Sequence, residues 1–312
     1  MDFKRIIEQL NPLAQCRRYR VSLWQCPQFL FLIMGIIIIG VAITAYLIGM
    51  RYIEDPEIIA LMVLTLSGIL FIFTYIITIS FEKLAEASRM KSEFVKIVSH
   101  QLRSPITNLS WAIDSLMSGG LGRIQKSQLD YFKILKENSG RMKELIKDLL
   151  ITSRIEEGAL PIRKEKVSLV KIVKSLISEF RPFALASNVK VEFDLDKDLP
   201  EIFTDSHQIR VVVENLLDNA IRYIKRKGKV KIHLGKKEND IYFRIKDNGI
   251  GILEEDQKYI FQKFFRSRSE EEQGTGLGLF ITKSIIERLG GKIWFESEKG
   301  KGTTFWFNLP IK

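Results

Sequence analysis

The sequence predicts a multidomain chain. It should hold two transmembrane helices, an α-helical hairpin dimerising into a four-helix bundle, and an α+β domain of helices layered on a mostly antiparallel sheet. Three observations carry that prediction. Two long runs hold no charged side chain, two apolar stripes of helical spacing are parted by a glycine-rich break, and beyond Gly158 the pattern changes to alternating segments between further helices. The corresponding boundaries are 1–28 for an N-terminal segment, 29–81 for a two-span membrane anchor, 82–156 for the hairpin and 157–312 for the α+β domain.

With 312 residues, 46% of them apolar, the chain has the material for such cores. A net charge of +11 would suit a nucleic-acid partner, but the Lys and Arg residues are dispersed among carboxylates, so no nucleic-acid role is expected. Cys16 and Cys26 are the only cysteines and no histidine stands near them, which leaves neither a disulfide framework nor a metal-ligand spacing.

Residues 29–50 and 58–81 carry no charge, and at a rise of about 1.5 Å per residue each run reaches across a hydrocarbon layer of about 30 Å. A cleaved signal would start closer to the first residue and be shorter. Lys4, Arg5, Arg17, Arg18 and Arg20 precede the first run, and Lys83, Arg89, Lys91 and Lys96 follow the second. Only Arg51 lies between them, beside Glu54, Asp55 and Glu57. The asymmetry places both termini in the cytoplasm, in a multi-pass protein of the inner membrane. The connection at residues 51–57 is too short to fold, so a stimulus would be read by the helices or by a neighbouring membrane protein.

No proline or glycine interrupts residues 83–104, and Phe94, Val98, Leu102, Ile106, Leu109, Ile113 and Leu116 recur at steps of three and four. Residues 118–122 (SGGLG) break the helix. A second stripe follows at Phe132, Leu135, Met142, Ile146 and Leu149, with Ser139 in the missing slot. A lone hairpin cannot cover both stripes, so a homodimer is expected. His100 falls nearly opposite the first stripe, which centres near Ile106 and Leu109, and should face water.

In the last part, helical spacing at 168–187 and alternation at 189–195, 229–234 and 241–245 give the α+β reading. Asn215 and Asn219 lie four apart on a helical pattern and share a face, where two amide oxygens can help hold a magnesium ion. Gly249 and Gly251 follow a strand. Gly274, Gly276 and Gly278 open a helix that runs to about Leu289, and a glycine-lined helix start offers unpaired donors to phosphate.

Residues 94–105 (FVKIVSHQLRSP) closely resemble the phosphoacceptor box of the sensor histidine kinases of two-component systems, with Pro105 matching the proline that bends the helix just after the histidine. In the same order, Asn215 with Asn219, residues 247–251, residues 261–266, residues 274–278 and residues 300–305 match the N, G1, F, G2 and G3 boxes of that family's catalytic domain. The resemblance covers residues 94–312 and does not reach the membrane part. It implies an ATP-binding sandwich in which Asp247 accepts from the adenine amino group and Asn215 and Asn219 hold Mg2+. Arg222, Tyr223 and Arg266 would face phosphate, and Gly249, Gly251, Phe264, Gly274, Gly276, Leu277 and Gly278 would complete the nucleotide site, with 261–273 as a lid. It also implies that His100 receives the terminal phosphate of ATP and passes it to an aspartate of a separate response regulator. An imidazole, titrating near ~6.5, keeps enough neutral ring at pH 7 to attack phosphorus.

Two positions depart from the family pattern. Gln101 stands where an acidic residue usually takes the second ring proton, and Ser104 stands where Thr or Asn is often thought to position a dephosphorylating water. Gln101 keeps open an ATP-binding pseudokinase or receptor scaffold. An ATPase of the same superfamily is disfavoured, because the slot of its water-activating glutamate holds Asn215.

Overall fold

The computed structural model describes residues 27–119, 122, 124–267 and 274–311. The first 26 residues with both cysteines, residues 120 and 121 of the glycine-rich break and the second half of the expected lid lie outside them. The chain divides into two compact units between Phe94 and Val95. The hairpin and the α+β layer therefore fall in one unit, although the sequence suggests a break near 156.

The first unit holds helix α1 (Pro27–Gly49) and the start of α2 (Pro56–Met117). Both are long and apolar enough to cross a membrane, and 6% and 11% of their most apolar windows are buried. The hydroxyls of Thr44, Thr65, Thr74, Thr78 and Ser80 each donate to the carbonyl four residues back, so these polar groups are satisfied within their own helix. Phe31 and Phe71 meet edge to face at 5.6 Å.

Helix α2 continues through the second unit's first residues and carries Pro105 without ending there. It pairs with α3 (Lys126–Glu156). The interior of this hairpin is partly polar: Ser139 is buried and its hydroxyl lies 2.5 Å from that of Ser110, while Ile106, Ile113 and Ile146 are the buried apolar residues of the same two helices. Leu102, Leu109, Leu135 and Met142 stay exposed. The buried line thus runs through Ile106 and Ile113 and leaves out Leu109, because two helices in contact cover only the strip between them and not the flanks of a wide stripe.

The α+β layer follows: β1 (Glu165–Val167), α4 (Leu169–Ala186), β2 (Val189–Leu195), β3 (Ile202–Thr204), α5 (Ser206–Arg222), β4 (Gly228–Lys237), β5 (Asp240–Asp247), the single turn α6 (Glu254–Gln257), α7 (Gly278–Arg288), β6 (Lys292–Glu298) and β7 (Gly302–Pro310). Five strands form one sheet in the order β2-β4-β5-β7-β6, antiparallel except for β2 with β4, and β1 pairs with β3 apart from it. Alternation puts Val230, Ile232, Leu234, Ile241, Phe243, Ile245, Phe305, Phe307 and Leu309 on one face, against Val173 and Leu176 of α4, Leu216 and Leu217 of α5, and Ile281 and Ile285 of α7. Phe243 and Phe307 are direct cross-strand partners whose rings stack at 4.8 Å. Helix starts are fixed chemically: Ser168 accepts from Lys171 N, and Asp205 accepts from Gln208 N at 2.9 Å and, with its other oxygen, from Arg163 N at 2.7 Å.

Candidate active site

The end of α5, the strand ends of β5 and β7, and the loop into α7 converge on a cavity of about 270 Å³. Asn215 and Asn219, one turn apart on α5, both line it. The Asn215 amide nitrogen donates to Gly278 O at 3.2 Å and to Thr282 Oγ1 at 3.4 Å, which turns its carbonyl oxygen to the role of acceptor. An amide oxygen is the hard, neutral donor that magnesium takes, so this residue fits a site for that ion, with Asn219 beside it.

Asp247, at the end of β5, is buried at the cavity's inner end. Its Oδ1 accepts from Gly249 N at 2.8 Å and from Thr303 N at 3.2 Å. Burial pushes its carboxyl above the usual aspartate range, and the two backbone donors oppose that rise. Ile250, Ile252, Ile260 and Phe305 supply apolar lining. One polar acceptor among apolar walls suits a flat heteroaromatic ring with a single exocyclic donor. Gly251 makes the approach possible: at φ 68 a Cβ there would lie 2.0 Å from the Glu298 carbonyl oxygen. At Gly276, φ 70, a Cβ would meet the Phe264 backbone at 2.9 Å.

Tyr223, Arg266, Gly274 and Gly278 also line the cavity, as the sequence suggests. Arg222 lines it, but its guanidinium is engaged by Asp218, with Nε at 3.0 Å from one oxygen and Nη2 at 2.9 Å from the other. Phe264 departs from expectation: it is 63% exposed with φ 60, and it is the next residue, Phe265, that lines the cavity and meets Tyr259 at 5.7 Å. The positive φ reverses the chain there and swings the first ring outward. Leu277 is buried in the core beneath α7, and Gly249 sits against the Tyr223 carbonyl, so both shape the site from behind.

His100 is exposed on α2 next to exposed Gln101 and Ser104, and none of the three lines the cavity. Ser99, beside it, is fully buried, and its hydroxyl has no hydrogen-bond partner among the described residues. Sequence reasoning missed several cavity residues. Thr303 was legible in the motif at 300–305. Glu214 also lines the cavity, with its Oε2 3.8 Å from Lys147 Nζ. Glu144, Lys147 and Asp148 come from α3, which no local pattern places here.

Two family models match the chain. Residues 90–158 match the His Kinase A (phospho-acceptor) domain, and residues 204–312 match the histidine kinase-, DNA gyrase B- and HSP90-like ATPase, together more than half of the sequence. The adaptive-response sensory kinase SasA of Synechococcus sp. (strain JA-3-3Ab) is 32% identical over 73% of this chain and 62% of its own length. The sensor histidine kinase WalK of Bacillus subtilis (strain 168) is 33% identical over 71% of this chain and 37% of its own. The chain thus spans only part of the length of these relatives. The solved structure of Acinetobacter baumannii histidine kinase AdeS aligns with a TM-score of 0.50 and 26% identity over 68% of this chain and 98% of that one.

Proposed function

Because the chain belongs to the sensor histidine kinases of two-component systems, we propose that it is a membrane-anchored protein-histidine kinase that phosphorylates His100 from magnesium-bound ATP. The observation that carries this reading is that one cavity gathers Asn215 with Asn219, Asp247 and the 274–278 loop, which belong to three different motifs. Asp247 would select the adenine, the loop glycines and Arg266 would receive phosphate, and Asn215 and Asn219 would hold magnesium, which offsets charge on the phosphates. A ring nitrogen of His100 bonds to the terminal phosphorus while the bond from that phosphorus to the bridging oxygen breaks, and ADP leaves with the electron pair. Gln101 orients the ring and cannot take its proton, so that proton goes to solvent. The phosphoryl group then passes to an aspartate of a response regulator.

Self-association is supported by the uncovered Leu102, Leu109, Leu135 and Met142. Membrane anchoring is supported by α1 and the first part of α2 together with the Lys and Arg asymmetry. We place the domain boundaries at 28/29, 81/82 and 156/157. With so short an outer connection, the stimulus would come through the helices or from another membrane protein.

The test is incubation of the purified full chain with magnesium and γ-labelled ATP. Acid-labile label that disappears in His100→Gln is the expected result, and Gln101→Glu should label faster. Label that survives His100→Gln would sink the assignment. Nucleotide binding without label on any variant would favour the pseudokinase.

A further inference from the structure

The cavity's fourth wall is the hairpin itself, where Glu144, Lys147 and Asp148 project from α3. Thr275 Oγ1 donates to Asp148 Oδ2 at 2.7 Å and accepts from Leu277 N at 3.1 Å, so one hydroxyl joins α3 to the loop that opens α7. Lys147 faces Glu214 at 3.8 Å, and Lys263 pairs with Glu156 near the end of α3. Burial pushes the carboxyls of Glu144 and Asp148 above their ordinary range, with Asp218 adding to the rise at Glu144, so charge on this wall is already costly.

Resting on the reading of the cavity as a nucleotide site, we propose that α3 is an electrostatic gate on it. The Asp148 carboxylate latches the 274–278 loop through Thr275, and the docked wall and a bound triphosphate exclude one another. The reason is sign: two partly desolvated carboxylates face the space that a polyanion must enter, and like charges at short range in a low-dielectric cleft repel far more than in water. Nucleotide entry therefore releases the catalytic domain from α3, which frees it to seek His100. Linkage makes the effect reciprocal: whatever weakens the docked wall must tighten nucleotide binding, by at most the same factor.

Equilibrium binding of Mg-ATP and of adenosine to the full chain tests this, in the parent, Asp148→Asn, Asp148→Ala and Glu144→Gln. The gate requires that each variant bind Mg-ATP several-fold tighter, while adenosine, which carries no phosphate charge, binds all four proteins alike and reports that they are folded. Variants that bind Mg-ATP at parental affinity or more weakly would overturn the gate and recast the carboxylates as bystanders or metal ligands. Equal tightening for adenosine would overturn its electrostatic basis. A parent that binds adenosine and Mg-ATP not at all would instead remove the nucleotide reading on which the gate rests.

Discussion

In the α+β layer, Leu216, Leu217, Phe243 and Phe307 are wholly buried by elements of the same chain. In the hairpin, Leu102, Leu109, Leu135 and Met142 belong to the same kind of apolar stripe and remain between 38% and 46% exposed. Sheet and helices close on each other because three helices lie over one face of five strands. Two antiparallel helices share only one seam, and here that seam is partly spent on the Ser110 and Ser139 hydroxyls. The α+β layer thus buries its apolar residues within its own chain, whereas the hairpin leaves an apolar surface that the proposed self-association would cover. Polar groups in its seam favour specificity of register over strength.

The comparison can be broken most severely in the closed layer. Phe307→Ala removes a ring stacked on Phe243 in a site without solvent access and should cost about 3–5 kcal/mol. Urea unfolding of the full chain, followed through loss of Mg-ATP binding, should show the transition at much lower denaturant. A near-parental midpoint would mean that the sheet core is not where the layer's stability resides.

A smaller effect of a different kind is expected in the hairpin. Replacing both Leu109 and Leu135 by Ala should leave the unfolding of the α+β layer unmoved. It should raise the dimer dissociation constant roughly 100-fold, since covering a leucine is worth about 1.5–3 kcal/mol. Sedimentation of detergent-solubilised protein over a range of concentrations measures this, and unchanged self-association would place the second chain elsewhere.

The smallest effect sharpens the contrast within the closed layer itself. Burial raises the folded pKa of Asp247 above its unfolded value, so the folded state holds that proton more tightly. Stability therefore falls as pH rises from the ordinary aspartate range through the raised folded value, and the cost is fully present above it. Asp247→Asn keeps an oxygen for Gly249 N and Thr303 N and removes the charge. At pH 7 its melting temperature should exceed the parent's by about 2–4 °C, a gap that closes as pH falls through that window, while Mg-ATP binding is lost. A variant that melts below the parent at pH 7 would show that the carboxylate's bonds outweigh its burial.

Most of the fold was legible where sequence periodicity is enforced by a single packed face. The alternation at 189–195 is the whole of β2, and the helical spacing at 168–187 is α4 with its caps, because Ser168 and Asp205 mark helix starts by local hydrogen bonds. The paired asparagines and the glycines at 274–278 were legible because each needs only its own element to be placed. Less was visible where one position depends on two elements at once. The outward turn at Phe264 depends on a left-handed backbone packed against Gly276. The wall of Glu144, Lys147 and Asp148 depends on which flank of α3 meets the cavity, and an exposed charged flank reads the same whether it faces water or a partner element.

The junction between hairpin and α+β layer sets how the latter can move. Arg288 donates to the Gly158 carbonyl, Ala159 N donates to Arg154 O at 2.9 Å, Leu160 is already buried in the core, and Arg163 N is held by Asp205. Almost no slack remains except at Gly158, whose φ of 66 marks the bend. A leash of one or two residues reaches only about 3–7 Å, so the layer can pivot about that point but hardly translate. Motion of this kind is a hinge whose arm is the domain's own radius, and it confines the search for an acceptor to an arc. On that arc the effective concentration of a reachable side chain is on the order of mM or more, while a side chain off it is not met at all. Lengthening the junction would widen the arc and dilute the encounter, so the shortness of the tether is itself a determinant of which acceptor is served.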